Sequence, residues 1–120
     1  MKSVKELNVY NKAEDVAVEV YKITEHLPKN ELYGLTSQIR RASVSIPANI
    51  AEGFGRWHNK EYVRFLYISR GSLNEVLVYL NLIERLGYLD GNNLTEVRKL
   101  CDEVGKMING LIKSLKERDQ

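Results

Sequence analysis

The side chains best suited to chemistry in this sequence recur at helical spacing along its second apolar segment. They follow one another at intervals of 3, 4, 4 and 3 residues, which places them on one face of a helix. Ser72 and Glu75, in the third apolar segment, could join them. These seven residues form the predicted polar network: Gln38, Arg41, Ser45, Asn49, Glu52, Ser72 and Glu75.

The spacing leaves Arg41 and Glu52 too far apart to pair with each other, so each needs another partner. We expect Glu75 to pair with Arg41, and Ser72 to bond Asn49 or Glu52. Hydrogen-bonded boundary networks of this kind fix the register between helices. Catalysis by Glu52 and Glu75 is the less favoured interpretation, because the sequence adds no nucleophile or metal set to them.

Other catalytic and metal-binding interpretations are weaker still. His26 and His58 lie far apart and lack ligands at metal-binding spacing. Cys101 lies beside the apolar seam of the fourth segment and is interpreted as a packing residue. Gly53 and Gly55 follow no strand and precede no Gly-Lys-Ser/Thr, so they do not form a phosphate loop. The sequence therefore predicts no metal, no cofactor, no small-molecule substrate and no enzymatic activity.

Positive charge is concentrated in the middle of the chain. Residues 38–70 carry six Lys and Arg against two Asp and Glu, a net +4, whereas residues 1–37 and 71–120 each carry −1. Arginine with an exposed aromatic residue, here Trp57, suits phosphate contact and base stacking. The candidate nucleic-acid-binding residues are Arg56, Lys60, Arg64, Arg70 and Arg85.

The outer face of the second segment is mostly small or apolar, where solvent would favour Lys and Glu. Small residues allow a second helix to approach closely, and the third segment is apolar around most of its circumference. Both features predict self-association, and the alternative is a kinked helix that lies deeper in its own bundle. The candidate interface residues are Ser37, Arg40, Val44, Pro47, Ala48 and Ala51.

Four helical segments must position these residues. Apolar residues recur at i, i+3, i+4 and i+7 in all four, and no segment alternates as a strand would. The first ends at Pro28, the second runs from about Glu31 with Asn30 as its N-cap, and the third ends at Gly87. Residues 91–93 are expected to form a turn before the fourth segment.

The expected fold is all-α, one domain over residues 1–120, an antiparallel up-down-up-down four-helix bundle. Pro47 lies inside the second segment, whose apolar stripe keeps its phase across it. We therefore favour one helix kinked at Pro47 over two separate helices. The lone cysteine, the short charged start and the lack of a long apolar run favour the cytoplasm and no membrane contact.

Residues 33–56, YGLTSQIRRASVSIPANIAEGFGR, closely resemble the signature of the bacterial four-helix bundle protein family. Its members are also described as 23S ribosomal RNA intervening-sequence proteins. The likeness continues through Glu61, Phe65, Leu66, residues 71–73, Glu75 and residues 86–88. The resemblance implies an up-down bundle that assembles into a ring, a pentamer, and a gene located in insertions within ribosomal RNA genes.

The chain also resembles, more distantly, the accessory variability determinant of diversity-generating retroelements. That protein is a basic pentamer that works with a reverse transcriptase and RNA. We therefore expect a non-enzymatic homo-oligomer that binds RNA or a nucleoprotein through its basic surface. The alternative is a scaffolding oligomer with a protein partner and no nucleic-acid binding.

Overall fold

The computed structural model describes residues 3–118, which form helices without any strand. Short 3-10 turns at Val4–Glu6 and Lys29–Glu31 precede the first two α-helices. This architecture confirms the predicted all-α class. The four α-helices are α1 (Asn8–Thr24), α2 (Leu35–Phe54), α3 (Asn59–Arg85) and α4 (Gly91–Arg118).

The helices form a four-helix bundle in which α2 packs between α1 and α3, and α4 closes the ring by packing against α1 and α3. The bundle is elongated, about 48 × 23 × 20 Å. Each helix contributes its apolar stripe to one shared core, because only the centre of such a bundle removes all four stripes from water. Core side chains with essentially no exposure include Ile39, Ile46, Ile50, Leu66, Leu80, Ile83, Leu94 and Ile108.

Helix α2 starts later than the sequence predicted. It begins at Leu35 after Gly34, whereas Asn30 and Glu31 lie in a 3-10 turn. The Glu31 side chain accepts a hydrogen bond from the Leu35 amide at 3.2 Å and another from Tyr88 Oη at 2.8 Å. The expected Asn30 cap is therefore wrong, because the carboxylate of Glu31 satisfies the first turn of α2 from four residues upstream.

Helix α2 continues through Pro47 as one element, which confirms one helix rather than two. Proline has no amide hydrogen, so the Ser43 carbonyl loses its intrahelical partner. Pro47 itself is buried within its own chain. Beside it, the buried Ser69 hydroxyl of α3 donates a 2.8 Å hydrogen bond to the Ile46 carbonyl. A kink at Pro47 stays a prediction.

The connection between α3 and α4 contains one confirmed and one corrected boundary. Gly87 has a positive φ of 77°, and the Tyr88 amide donates back to the Ile83 carbonyl, which is a Schellman ending for α3. The expected turn at residues 91–93 is instead the first turn of α4. Asp90 supports this start, since its side chain accepts from the Asn93 amide at 3.2 Å.

Side chains also tie neighbouring helices together at the surface. Lys12 of α1 and Glu103 of α4 form an ion pair at 2.7 Å. This contact raises the pKa of Lys12 and lowers the pKa of Glu103, because each charge stabilises the other. Arg98 of α4 pairs with Glu84 of α3 at 2.8 Å. Within residues 3–118, none of the helices combines the length and apolar character that a membrane crossing requires.

Candidate nucleic-acid interface

The polar stripe of α2 forms a smaller network than the sequence predicted. The Ser72 hydroxyl donates to Ser45 Oγ at 3.0 Å, and Asn49 donates to both Ser45 oxygens at 2.8 and 2.9 Å. This cluster joins α2 to α3. The expected bond from Ser72 to Asn49 or Glu52 is wrong, since Ser45 is the hydroxyl that accepts.

The charged members of the predicted network do not join it. Glu52 pairs with Arg56, one turn further along the chain, at 2.9 Å. Among residues 3–118, no ion pair links Arg41 to Glu75, and both side chains are exposed, as is that of Gln38. Exposed charges gain little from pairing, which explains why the expected Arg41–Glu75 bridge is absent.

The geometry also separates the two carboxylates that could have served as a catalytic pair. Glu52 precedes Gly53, whose Cα packs against Tyr62 and Phe65 of α3. Glu75 lies ten residues beyond Phe65, about 15 Å along the helix axis. Carboxylates that share one reacting bond lie roughly 5–9.5 Å apart, so Glu52 and Glu75 do not form such a site.

The remaining reactive groups carry no site either. Cys101 is 1% exposed, and burial raises the pKa of its thiol to about 12. A thiol protonated this firmly is a poor nucleophile. No group of three or more His, Cys, Asp and Glu among the described residues is placed to hold a metal ion.

Basic side chains gather where α2 ends and α3 begins. Arg56 and Arg64 each lie 4.7 Å from the ring centroid of Phe65, a cation–π arrangement that holds both guanidinium groups at one place. Arg56 pairs with Glu52, and Arg64 pairs with Glu61 at 3.2 Å. Both ion pairs are largely exposed, so little free energy is lost when a phosphate replaces the carboxylates.

The end of α4 adds positive charge at the same end of the bundle. Lys116 Nζ donates a hydrogen bond to Tyr67 Oη of α3 and lies 5.1 Å from the Tyr67 ring centroid. Arg118 lies close enough to Tyr62 to oppose the rise in the pKa of Tyr62 that burial causes. We call the set Arg56, Lys60, Arg64, Lys116 and Arg118 the basic end.

The sequence analysis missed Lys116 and Arg118. Their signal was present: the last turn of α4 is rich in Lys and Arg, and an up-down bundle returns that turn to the start of α3. Counting charge by chain segment concealed it, because residues 71–120 together carry seven Lys and Arg against eight Asp and Glu, a net charge of −1.

An open groove of about 710 Å³ lies within the basic end, between the start of α3 and the last turns of α4. Lys60, Arg64 and Lys116 line it together with Tyr67 and His58. Among the lining residues that the structure describes, Glu61 is the one acidic residue, and Arg64 partly neutralises it.

The other two candidate nucleic-acid-binding residues lie elsewhere. Arg70 is half-buried, donates to Asn109 of α4 at 3.0 Å and lies 4.8 Å from the Tyr67 ring centroid. Arg85 is exposed at the opposite end of α3, about 30 Å from Arg64 along the helix. The structure thus brings Arg56, Lys60 and Arg64 together, places Arg70 on their flank and leaves Arg85 apart.

The candidate interface residues of α2 do not all lie on the exposed surface. Val44 and Ala48 are exposed, while Ser37 and Ala51 are half-buried on the same outer face. Pro47 is buried against its own bundle. Arg40 turns towards α1, where it donates to Thr24 Oγ1 at 2.9 Å and to the Tyr21 carbonyl at 3.4 Å.

The fold and the basic end together define a helical-bundle protein with a charged surface groove rather than an enclosed active site. Residues 5–110 match the family model described as 23S rRNA-intervening sequence protein. The chain belongs to this family. Lys116 and Arg118 of the basic end follow the matched residues.

A solved structure supports the assignment of the fold. It is that of a protein with unknown function from the S23 ribosomal protein family of Bacteroides thetaiotaomicron, with a TM-score of 0.78 and 25% sequence identity. The similarity covers 88% of this chain and 98% of that one. A comparison with curated proteins finds no match.

Proposed function

We propose that this protein is a non-enzymatic homo-oligomer that binds RNA, free or in a nucleoprotein, through its basic end. The observation that carries the proposal is the convergence of Arg56, Lys60, Arg64, Lys116 and Arg118 from three elements at one end of the bundle. The acidic residues Glu52 and Glu61 there are already paired with arginine. Phosphate oxygens are the natural partners for such a surface.

Arg70 extends the proposed contact along α3 from the basic end. Arg85 would contact only an RNA long enough to reach the other end of the helix.

Assembly is the second part of the proposal. The outer face of α3 exposes four aliphatic side chains by 41–56%: Ile68, Val78, Leu82 and Leu86. On a helical wheel they lie within an arc of about 80° that also holds the exposed side chain of Glu75. A second copy covering this face would remove the aliphatic area from water, and the pentamer implied by the family resemblance would repeat the basic end around the assembly.

The alternative function is a scaffolding oligomer with a protein partner. The same exposed apolar surface favours it, because such patches mark protein interfaces in general. This candidate predicts that removing charge from the basic end leaves capture of the partner unchanged.

An electrophoretic mobility-shift assay at low salt tests the RNA-binding proposal. The wild-type protein should retain a structured RNA. The triple variant Arg56→Gln, Lys60→Gln and Arg64→Gln should bind at least tenfold more weakly, because each phosphate that is no longer contacted keeps its counterion. The matched control is Lys22→Gln, Lys29→Gln and Lys99→Gln, which removes equal charge from exposed positions elsewhere. Absence of RNA retention, or equal loss in both triple variants, would contradict the proposal.

A further inference from the structure

Resting on the proposed function, we propose that the groove between α3 and α4 binds a single-stranded segment of nucleic acid. Its phosphates would contact Lys60, Arg64 and Lys116, and one of its bases would stack on Trp57. The groove thereby selects single strands over duplexes.

The groove has the composition of a single-strand channel. Its three cations come from two helices and lie along an open cleft of about 710 Å³, with the Tyr67 ring and Val63 between them. Positive charge that follows a backbone, combined with aromatic rings, is how proteins hold single strands. Helix α3 also begins here, which adds the partial positive charge of its N-terminus.

Trp57 supplies the stacking surface. It is 97% exposed in the loop between α2 and α3, one residue before His58 of the groove lining. An indole that is almost fully in water contributes nothing to the core, so packing does not explain its place. Bases of a duplex are already stacked on each other, whereas an unpaired base can stack on an exposed ring.

The charge of the groove favours nucleic acid over an apolar or basic peptide. Within residues 3–118, three cations in the lining face one carboxylate, and that carboxylate is paired with Arg64. An acidic peptide would satisfy the charge but would offer no flat ring to Trp57. The two ligands are therefore distinguishable at this residue.

Trp57 is the single tryptophan of the chain, so its fluorescence reports on the proposed stacking contact beside the groove. The experiment titrates the protein with oligoadenylate of about ten nucleotides, as RNA and as DNA, with the corresponding duplexes and with oligoglutamate. Saturable quenching by either single strand is expected, with weaker binding and little quenching by the duplexes. Oligoglutamate should leave the emission unchanged.

Variants separate the contributions, with affinity measured by anisotropy of a labelled single strand. Trp57→Leu should weaken binding about tenfold through lost stacking, and Lys116→Gln should weaken it several-fold. The control Lys99→Gln removes the same charge about 25 Å away along α4 and should bind normally.

Two results overturn the groove proposal while leaving RNA binding intact. One is a duplex bound as tightly as the single strands with Trp57 emission unchanged. The other is an unaltered affinity for single strands in both Trp57→Leu and Lys116→Gln. Failure to bind any of the nucleic acids would remove the proposed function itself, and quenching by oligoglutamate equal to that by RNA would reassign the groove to acidic peptides.

Discussion

Single residues decide how closely α2 and α3 approach beside the basic end. A Cβ atom at Gly53 would lie 2.9 Å from Tyr62 Cδ1, 3.0 Å from Phe65 Cβ and 3.1 Å from the Tyr62 carbonyl. All three distances are shorter than normal contacts, and the last two atoms cannot move freely. Phe65 also carries Arg56 and Arg64 on its ring, so the close approach at Gly53 positions the basic end.

Replacing Gly53 with Ala should therefore destabilise the protein. Overpacking costs about 1–3 kcal/mol, and the better helix propensity of Ala returns up to about 1 kcal/mol, which leaves a net loss of up to about 2 kcal/mol. Gly110→Ala is the matched control, because nothing lies within 4 Å of its Cβ position in α4. That variant should gain about 0.5–1 kcal/mol. Urea denaturation measures both, and an unchanged or higher stability for Gly53→Ala would contradict the close approach.

At the residue scale, the sequence predicted the polar character of α2 but not its partners. Helical spacing identifies which residues share a face, and this was sufficient to bring Ser45, Asn49 and Ser72 together. It does not specify how far each side chain is buried, and Arg41 and Glu75 are both exposed, so the expected Arg41–Glu75 bridge was wrong. Local pairs such as Glu52–Arg56 form because the two residues are one turn apart, and such pairs compete with any longer-range partner.

At the scale of elements, Arg40 links the end of α1 to α2. Its guanidinium group donates to Thr24 Oγ1 and to the Tyr21 carbonyl, and lies 4.6 Å from the Tyr21 ring centroid. The Tyr21 carbonyl belongs to the last turn of α1, where carbonyls lack intrahelical donors and the helix dipole favours a cation. Arg40 therefore has two candidate roles: it stabilises the contact between α1 and α2 within one chain, or it contributes to the predicted interface between copies.

Replacing Arg40 with Ala distinguishes these two roles. The contacts predict a loss of about 1–2 kcal/mol in unfolding free energy, since the variant loses two hydrogen bonds from a charged donor and the cation–π contact with Tyr21. Arg41→Ala, one position along and exposed, should change stability little. Thermal or urea unfolding gives the stabilities, and light scattering gives the mass of the assembly. If Arg40→Ala forms a smaller assembly but unfolds with unchanged stability, Arg40 belongs to the interface instead.

Most of the helix boundaries followed from the sequence. Gly87 acts through its own backbone, so the end of α3 is visible in the sequence. Helix α1 instead ends at Thr24, four residues before the Pro28 that was expected to end it. The starts of α2 and α4 depend on the side chains of Glu31 and Asp90, which were not expected to contact those amides. A capping partner outside the usual N-cap position is not apparent from residue type alone.

At the scale of the whole molecule, the apolar outer face of α3 is the feature that one bundle does not explain. Leu82 and Val78 are 41% and 55% exposed, although each could have been polar without loss to the core. The sequence predicted this excess because α3 is apolar beyond the width of one buried stripe. The number of copies that cover it does not follow from residue types.

Leu82→Glu should weaken assembly by placing a charge in the apolar contact between copies. Val18→Glu is the control, because Val18 is equally apolar and 54% exposed but lies on α1, away from this face. Size exclusion coupled to light scattering, over a range of concentrations, should show a lower mass for Leu82→Glu alone. A monomeric wild type would contradict the assembly, and dissociation by Val18→Glu alone would place the contact on α1.

The basic end is a property of the whole molecule, since three elements that are distant in sequence build it. The segment count indicated Arg56, Lys60 and Arg64 but could not add Lys116 and Arg118, because net charge along a chain does not show where helix ends meet. The sequence analysis also grouped Arg85, which lies outside residues 38–70, with the others, although the length of α3 separates them. The position of charges on the surface depends on which helix ends lie together. The sequence predicted the order of the helices correctly but not which charged residues meet at each end of the bundle.

The salt dependence of RNA binding measures how many phosphates the basic end contacts. For a labelled hairpin with a single-stranded loop, log Kobs against log salt should fall with a slope of about −0.7 to −0.9 for each phosphate contacted. At least three contacts at Lys60, Arg64 and Lys116 predict a slope of about −2 or steeper. Arg64→Gln should reduce its magnitude by about one contact, and Lys99→Gln should leave it unchanged. A slope near zero for the wild type, or the same slope in Arg64→Gln, would contradict binding through the basic end.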